Sequence, residues 1–192
     1  MPAPDPAALD FLLRRRSRPA KTLGPPVPDR AALQPILRAA ARSPDHGKLE
    51  PWRFIVLERP ALQRLAGLAA ARAPALGVAP EKVEKGVRQY GDAHLAVAVV
   101  AAPKPSETIP VIEQHLSAGA VCLALLNAAL AAGWGANWLT GWAAHDPVFC
   151  AEGLGLDARE FLAGLIFIGT ETVAPPARSR PDLDRIVTWM AE

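Results

Sequence analysis

The run of eight apolar residues from Leu95 to Ala102 (LAVAVVAA) constrains the fold more than any other stretch of the chain. Its length and its valines favour a buried β-strand. Pro103 and Pro105 end that strand, because proline has no N–H to donate to a neighbouring strand. A strand that is apolar on both faces must be covered on both faces. The sequence therefore predicts a sheet that lies between other layers.

Two further segments have clear strand patterns, at residues 53–58 and at 161–170 (FLAGLIFIGT), and residues 133–141 are predicted to be a short turn and strand punctuated by glycines. Residues 54–57 (FIVL) indicate that the first of these strands is also buried on both faces. Apolar spacing predicts helices at residues 7–16, 31–42, 60–72, 111–132 and 147–153. Residues 73–91 are charged and are predicted to be a helix-rich excursion on the surface. We expect an α+β fold, an α/β sandwich around one mixed sheet, in a single domain spanning residues 1–192.

The longest apolar stretch, residues 118–139, is long enough to span a membrane. Asn127 and Asn137 interrupt it and much of its apolar content is alanine, so a buried central helix is the better interpretation. The first ten residues lack the layout of a signal peptide, and we expect a cytoplasmic protein. Cys122 and Cys150 have no C-x-x-C spacing, which favours reduced core thiols.

Positive charge is concentrated at the amino-terminal end. Residues 1–42 contain eight Arg or Lys and three Asp, an excess of five, whereas the whole chain has a net charge of +2. Such a patch on a nearly neutral protein indicates an anionic partner: a phosphate-bearing ligand, a nucleic acid or an acidic lipid.

The centre of this patch is Arg14-Arg15-Arg16-Ser17-Arg18. Arginine presents a planar fork of donors to oxyanions and a serine hydroxyl adds another donor, so the run suits a phosphate site. A solvated basic helix end would have the same pattern, because cations are favourable near a helix C-terminus. The residues alone leave both interpretations open.

The loop from Arg42 to Trp52 is dense in polar groups and lies between a predicted helix and a predicted strand. Binding residues concentrate in such loops. Arg42 and His46 are candidates, although a lone histidine more often has a structural role and Asp45 can cap a turn.

Several common chemistries have no support in the sequence. It contains no G-x-x-x-x-G-K-[ST], no G-x-S-x-G and no H-E-x-x-H, and its Cys and His residues do not cluster. We therefore expect no bound metal. The run 153–158 matches G-x-G-x-x-A, but no strand precedes it, as a dinucleotide fingerprint would require.

The run from Arg38 to Phe54 (RAAARSPDHGKLEPWRF), together with the R-R-S triplet after the first helix, resembles the flavin-dependent nitroreductase superfamily, in particular its short-chain branch. The resemblance implies a nitroreductase-like fold and an intertwined homodimer with FMN at its interface. It also implies that NADH or NADPH is the electron donor, with a nitroaromatic compound, a quinone or a similar small molecule as acceptor. The flavin carries the chemistry in this family, so no catalytic side chain is assigned.

The resemblance further implies which residues bind the cofactor. Those assigned to the phosphate and ribityl chain are Arg15, Arg16 and Ser17. Arg42 and His46 would reach the flavin held mainly by the other subunit. The segment beside the isoalloxazine would be Trp138, Leu139 and Thr140, and the tail residues Arg178 and Arg180 would add to the phosphate site. A cation near the flavin N1/O2 edge would be Lys21 or Lys48.

Two alternatives stay open. A relative with this fold can have another flavin task, such as flavin fragmentation, dehalogenation or flavin holding. A basic nucleic-acid-binding module using residues 14–21 is the other, but the cluster lacks interleaved aromatic residues, so we expect no nucleic-acid partner.

Overall fold

The computed structural model describes residues 3–191, which form helices on both sides of a small sheet. The helices are α1 (Pro6–Arg14), α2 (Arg30–Ala40), α3 (Arg59–Arg72), α4 (Pro80–Gly91), α5 (Val111–Ala131), α6 (Pro147–Leu154) and α7 (Leu183–Ile186). The strands are β1 (Leu23–Gly24), β2 (Trp52–Glu58), β3 (Leu95–Ala101), β4 (Gly135–Leu139) and β5 (Phe161–Glu171). Every helix and strand predicted above is present, and its ends differ from the predicted ends by two residues or fewer.

The sheet has the strand order β1-β5-β3-β2, and β4 also pairs with β5. All four pairings within the described residues are antiparallel. The predicted α+β class is confirmed, whereas the prediction of a mixed sheet was wrong for this part of the chain. The error came from inferring parallel strands from alternating strands and helices, although here β2 and β3 pair antiparallel across α3 and α4.

The predicted two-sided burial holds for β3 and fails for β2. Every residue of β3 is buried, because β2 and β5 lie on either side of it. Strand β2 is at the edge of the sheet and Leu57 is its one buried residue. Val56 keeps 41% of its surface exposed.

Alternate residues of β3 contribute to two separate hydrophobic cores, as the period of two in a strand requires. Ala96, Ala98 and Val100 pack with the cluster that contains α3 and α6 residues. Leu95, Val97 and Val99 pack with the cluster that contains α2 and α5 residues. The sheet is therefore covered on both faces, as the run at 95–102 predicted.

Helix α5 is long and apolar enough to cross a membrane by length and composition alone. It is instead the predicted central helix, because it packs on the sheet through buried residues such as Val121, Cys122 and Leu125. Its other side leaves Ile112, Leu116 and others exposed. Both cysteines are free and buried, in agreement with the prediction.

Candidate functional site

The cationic segment from Arg14 to Lys21 leaves α1 and runs along β4. The amide of Arg18 donates to the Ala136 carbonyl over 2.8 Å. The Asn137 side chain donates to the Arg18 carbonyl over 2.6 Å. These two bonds hold the backbone of the segment against the sheet, so the side chains on either side of Arg18 have defined positions.

A cavity of about 310 Å³ lies where this segment meets the start of β4 and the end of β5. We call it the arginine cavity. Its lining residues are Phe11, Arg14, Arg15, Arg16, Arg18, Leu130, Gly133, Trp134, Gly135 and Glu171. Four guanidinium groups and one carboxylate give it an excess of positive charge, which suits an anionic ligand.

Arg15 has the most informative environment of the four arginines. Its Nη2 donates to the Ser17 hydroxyl over 3.1 Å. Its Nε is buried and has no partner among the described residues. Burial, followed by the charges of Arg180 and Arg18, lowers the pKa of the Arg15 guanidinium. A buried donor without a partner costs about 1–3 kcal/mol, and a bound anion would remove that cost.

The carboxyl-terminal tail passes close to the same segment. Arg180 Nη2 lies 3.4 Å from the Arg15 carbonyl oxygen, and the Arg16 guanidinium donates to the Pro176 carbonyl. Arg178 is exposed and forms no hydrogen bond or ion pair with the described part of the chain. Of the two tail arginines predicted at the phosphate, the structure therefore brings only Arg180 next to Arg15.

Glu171 is a lining residue that the sequence analysis missed. Its Oε2 is 3.3 Å from Arg18 Nε, whereas its Oε1 is buried without a partner in residues 3–191. The only sequence signal was its position directly after the predicted strand 161–170. Carboxylates are common at the ends of strands, and nothing in the sequence indicates that this strand ends beside the arginines.

A second cavity, of about 550 Å³, lies further along the same segment. We call it the α4 cavity. Its lining residues are Pro19, Ala20, Lys21, Glu81, Glu84, Lys85, Arg88, Gln89, Asp92, Ala93, Asn137 and Leu139. Consecutive residues of one segment thus line both cavities, with cations at the first and a mixture of apolar and charged groups at the second.

Helix α4 is held over this cavity by contacts with the turn after β4. Gln89 Nε2 donates to the Thr140 carbonyl over 2.9 Å, and Trp142 Nε1 donates to the Lys82 carbonyl over 3.0 Å. Residues 73–91 were predicted to be a surface excursion, and half of the residues of α4 are exposed. Seven residues from 81 to 93 also form one wall of the cavity, and Tyr90 is buried.

Trp138, Leu139 and Thr140, the residues predicted beside the isoalloxazine ring, lie in different places. Leu139 lines the α4 cavity, as does Asn137, two residues earlier on the same face of β4. Trp138 points to the other face, where a Cβ at Gly164 would overlap its indole. Thr140 contributes its backbone carbonyl to the bond with Gln89. The alternation within β4 could have indicated Asn137 in place of Trp138.

The loop from Arg42 to Trp52 is attached to the start of α5. His46 Nδ1 lies 2.8 Å from Glu113 Oε2. The Ser117 hydroxyl donates to the Pro44 carbonyl over 2.9 Å and accepts from Trp52 Nε1 over 3.1 Å. Arg42 and His46 are exposed and line neither cavity.

The backbone of this loop is strained. Lys48 has φ 53° and Glu50 has φ 48°, next to Gly47 at φ 69°. Residues with side chains adopt positive φ at a cost of about 1–3 kcal/mol each, and such residues concentrate at functional sites. Lys48 is exposed outside the α4 cavity, whereas Lys21 lines it. No cluster of His, Cys, Asp or Glu suited to a metal occurs among residues 3–191.

Comparisons with known proteins agree with one another. The model of the nitroreductase family matches residues 12–170. The "Putative NAD(P)H nitroreductase YdjA" of Escherichia coli K12 is 33% identical over 183 residues, which cover 95% of this chain and 98% of that protein.

Solved structures share the fold at lower identity. A nitroreductase-like family protein from Bacillus cereus has a TM-score of 0.79 and 21% sequence identity. The superposition covers 100% of this chain and 100% of that chain. The FMN and NADPH-dependent nitroreductase NfnB from a Sphigopyxis strain has a TM-score of 0.70 at 20% identity, with 96% of this chain and 99% of that chain covered.

Proposed function

The chain belongs to the nitroreductase family, and from that premise we propose that it is an FMN-dependent oxidoreductase. It takes two electrons from NADH or NADPH and passes them to a nitroaromatic compound, a quinone or a similar small acceptor. The observation that carries the proposal is the buried Arg15 Nε, which lacks a partner within residues 3–191 and belongs to one of four arginines that line a single cavity.

The residues that line the two cavities fit both the phosphate end and the ring end of FMN. Arg15, Arg16 and Ser17 would hold the phosphate, because guanidinium and hydroxyl donors match its oxygens. The α4 cavity adjoins the same segment and is large enough for an aromatic ring system, with Leu139 and Asn137 on one wall. The NfnB structure, which shares this fold, is described as FMN-dependent, which supports the same assignment.

When bound, FMN supplies the hydride chemistry, and the protein binds, orients and tunes it. Lys21 is the better of the two lysine candidates for the N1/O2 edge, because it lines the α4 cavity. An ammonium group there stabilises negative charge on the reduced ring. The backbone of Leu139 and Thr140 would contact the ring edge, and helix α4 would exclude water from the opposite side.

We propose that the active form is a homodimer with the two sites at its interface. Exposed apolar side chains support this, since α1, α5 and the tail each carry several of them: Leu9, Leu12, Leu13, Ile112, Leu116, Leu123, Trp189 and Met190. Arg42 and His46 line neither cavity of their own chain. We assign them to the flavin of the partner subunit. The free buried thiols fit a reducing, cytoplasmic location.

The donor and the acceptor would occupy the α4 cavity in turn, which gives ping-pong kinetics. The test begins with the visible spectrum of the full-length protein, as purified and after addition of FMN. We expect the absorption bands of bound flavin, followed by NAD(P)H oxidation that a nitroaromatic compound or a quinone accelerates. Parallel double-reciprocal plots at several acceptor concentrations would indicate the ping-pong order.

A protein that is colourless and gains no flavin spectrum contradicts the proposal at its first step. If flavin binds but no acceptor accelerates NAD(P)H oxidation, the protein has a different flavin task. Salt-dependent binding of DNA or RNA by flavin-free protein would instead support the nucleic-acid alternative.

A further inference from the structure

Two residues that line the arginine cavity each have a buried polar atom without a partner among the described residues, and the two atoms are of opposite type. Arg15 Nε is a donor and Glu171 Oε1 is an acceptor. Both residues line the same cavity. An anion alone would satisfy the first atom and leave the second unpaired, because a deprotonated oxygen cannot donate to a carboxylate.

We infer that the arginine cavity takes a phosphate monoester whose carbon chain carries a hydroxyl group, and that Glu171 accepts a hydrogen bond from this hydroxyl. The inference rests on the proposed function, since the ribityl phosphate of FMN is such a group. It makes Glu171 a specificity-determining residue that distinguishes a polyol phosphate from an alkyl phosphate.

The charges of the cavity favour this arrangement. Glu171 Oε2 lies 3.3 Å from Arg18 Nε, so one carboxylate oxygen is already engaged by a cation. The other oxygen is buried, and a hydroxyl that donates to it forms a charge-assisted bond of roughly twice the strength of a neutral one. A second phosphate group would bring only acceptors and negative charge to that position. The carboxylate therefore favours a hydroxyl beside the phosphate.

The position of Glu171 is also well defined. It is the last residue of β5 and pairs with Leu23 of β1. Its Cβ lies close to Gly135, where an added Cβ would be 3.4 Å away. The carboxylate is thus carried by the sheet, as is the arginine segment through Arg18 and Asn137. The donor and the acceptor are held on a common framework.

The test is a cycle of two ligands and two proteins. The ligands are FMN and a flavin phosphate in which the ribityl chain is replaced by an unsubstituted pentyl chain. Their dissociation constants are measured by flavin fluorescence with the full-length flavin-free protein and with Glu171→Gln. We expect wild type to prefer FMN by about tenfold and Glu171→Gln to reduce that preference to about twofold, because a neutral amide oxygen is a weaker acceptor.

One variant serves as the matched control. Glu107→Gln makes the same change of charge at an exposed site outside the cavity and should keep the tenfold preference. Thermal unfolding of each variant shows whether it is folded.

An equal loss of affinity for both ligands in Glu171→Gln would overturn the inference, because Glu171 would then act through charge or packing alone. So would a wild-type protein without preference, in which a water molecule would satisfy both atoms. If wild type binds neither flavin, the proposed function itself fails, and that outcome is distinct from the other two.

Discussion

The cationic segment of residues 14–21 and the loop of residues 42–52 are both rich in polar side chains, but they have different surroundings. The segment lies along β4, lines a cavity and contains a buried donor without a partner in the described part of the chain. The loop is exposed and forms its bonds with α5. Arg42 and His46 face neither cavity.

This difference indicates two kinds of binding group. Residues on the segment are positioned by their own chain before any ligand arrives, which lowers the cost of binding. In the proposed dimer, residues on the loop would contribute only after the partner subunit covers them. Arg15 should therefore determine most of the cofactor affinity, whereas Arg42 should depend on the dimer.

The largest expected effect is on the affinity for FMN. Arg15→Ala removes charged donors from a partly buried site, and we expect about a hundredfold weaker binding. Arg42→Ala removes an exposed cation, and we expect about a tenfold loss. Fluorescence titration with FMN measures both. Arg30→Ala removes an exposed arginine elsewhere and should leave the affinity unchanged.

Mixing the two variants tests the shared site. If each site takes Arg15 from one subunit and Arg42 from the other, a mixed dimer contains one intact site and one doubly altered site. In the isolated mixed dimer, one of the two sites should then bind FMN with wild-type affinity. Equal losses in the two single variants, or no high-affinity fraction in the mixture, would contradict the division of roles described above.

A second prediction compares a glycine of each region. A Cβ at Gly135 would lie 2.6 Å from Leu23 Cδ2 and 3.1 Å from the Gly169 carbonyl oxygen. Since a backbone oxygen in the sheet cannot move aside, Gly135→Ala should lower the free energy of unfolding by about 2 kcal/mol. Gly47→Ala meets only the flexible end of Ile109. It should cost about 1 kcal/mol, chiefly because φ is 69°.

Urea unfolding monitored by circular dichroism gives both values. Gly67→Ala is the matched control, because it lies within α3 with no atom within 4 Å of the added Cβ. It should stabilise the protein slightly through helix propensity. A loss in Gly47→Ala larger than that in Gly135→Ala would show that the loop, and not the sheet, is the rigid element.

The smallest expected effect is the loss of stability when one of two ion pairs is removed, Arg53–Glu160 or His46–Glu113. Arg53 donates to both carboxylate oxygens of Glu160 over 2.8 and 2.7 Å. The hydrogen bond from Arg53 is the main cause that lowers the pKa of Glu160. A lowered pKa contributes stability above the ordinary value, 4.5 for glutamate, and that contribution disappears as the pH falls through the folded-state value.

Glu160→Gln should therefore lower the melting temperature at pH 7, by an amount that corresponds to about 1 kcal/mol. The difference from wild type should shrink towards zero as the pH falls through the lowered folded-state pKa of Glu160, where Glu160 becomes protonated in wild type as well. Glu113→Gln removes the exposed partner of His46 and should have less effect at any pH. A difference for Glu160→Gln that persists at low pH would contradict the assignment to this ion pair.

The sequence predicted much of this fold because its signals were local. The apolar run at 95–102 and its flanking prolines are sufficient to predict β3 and its cover on both faces. Sequence could not indicate that β2 lies at the edge, since strand order depends on contacts between distant segments. It missed Glu171 for the same reason, because β5 and the segment 14–18 meet only in three dimensions.

The sequence by itself determined the α+β class, the central helix α5, the cationic segment and the resemblance to the nitroreductase family. These depend on residue type and spacing along the chain. Only the tertiary structure decided that the sheet is antiparallel within residues 3–191, that Asn137 rather than Trp138 faces the α4 cavity, and that Lys21 rather than Lys48 lines it. It also separated the half-buried residues Arg15, Arg16 and Arg18 from the exposed loop. Burial and unpaired donors are properties of packing, and packing brings together residues that are far apart in the chain.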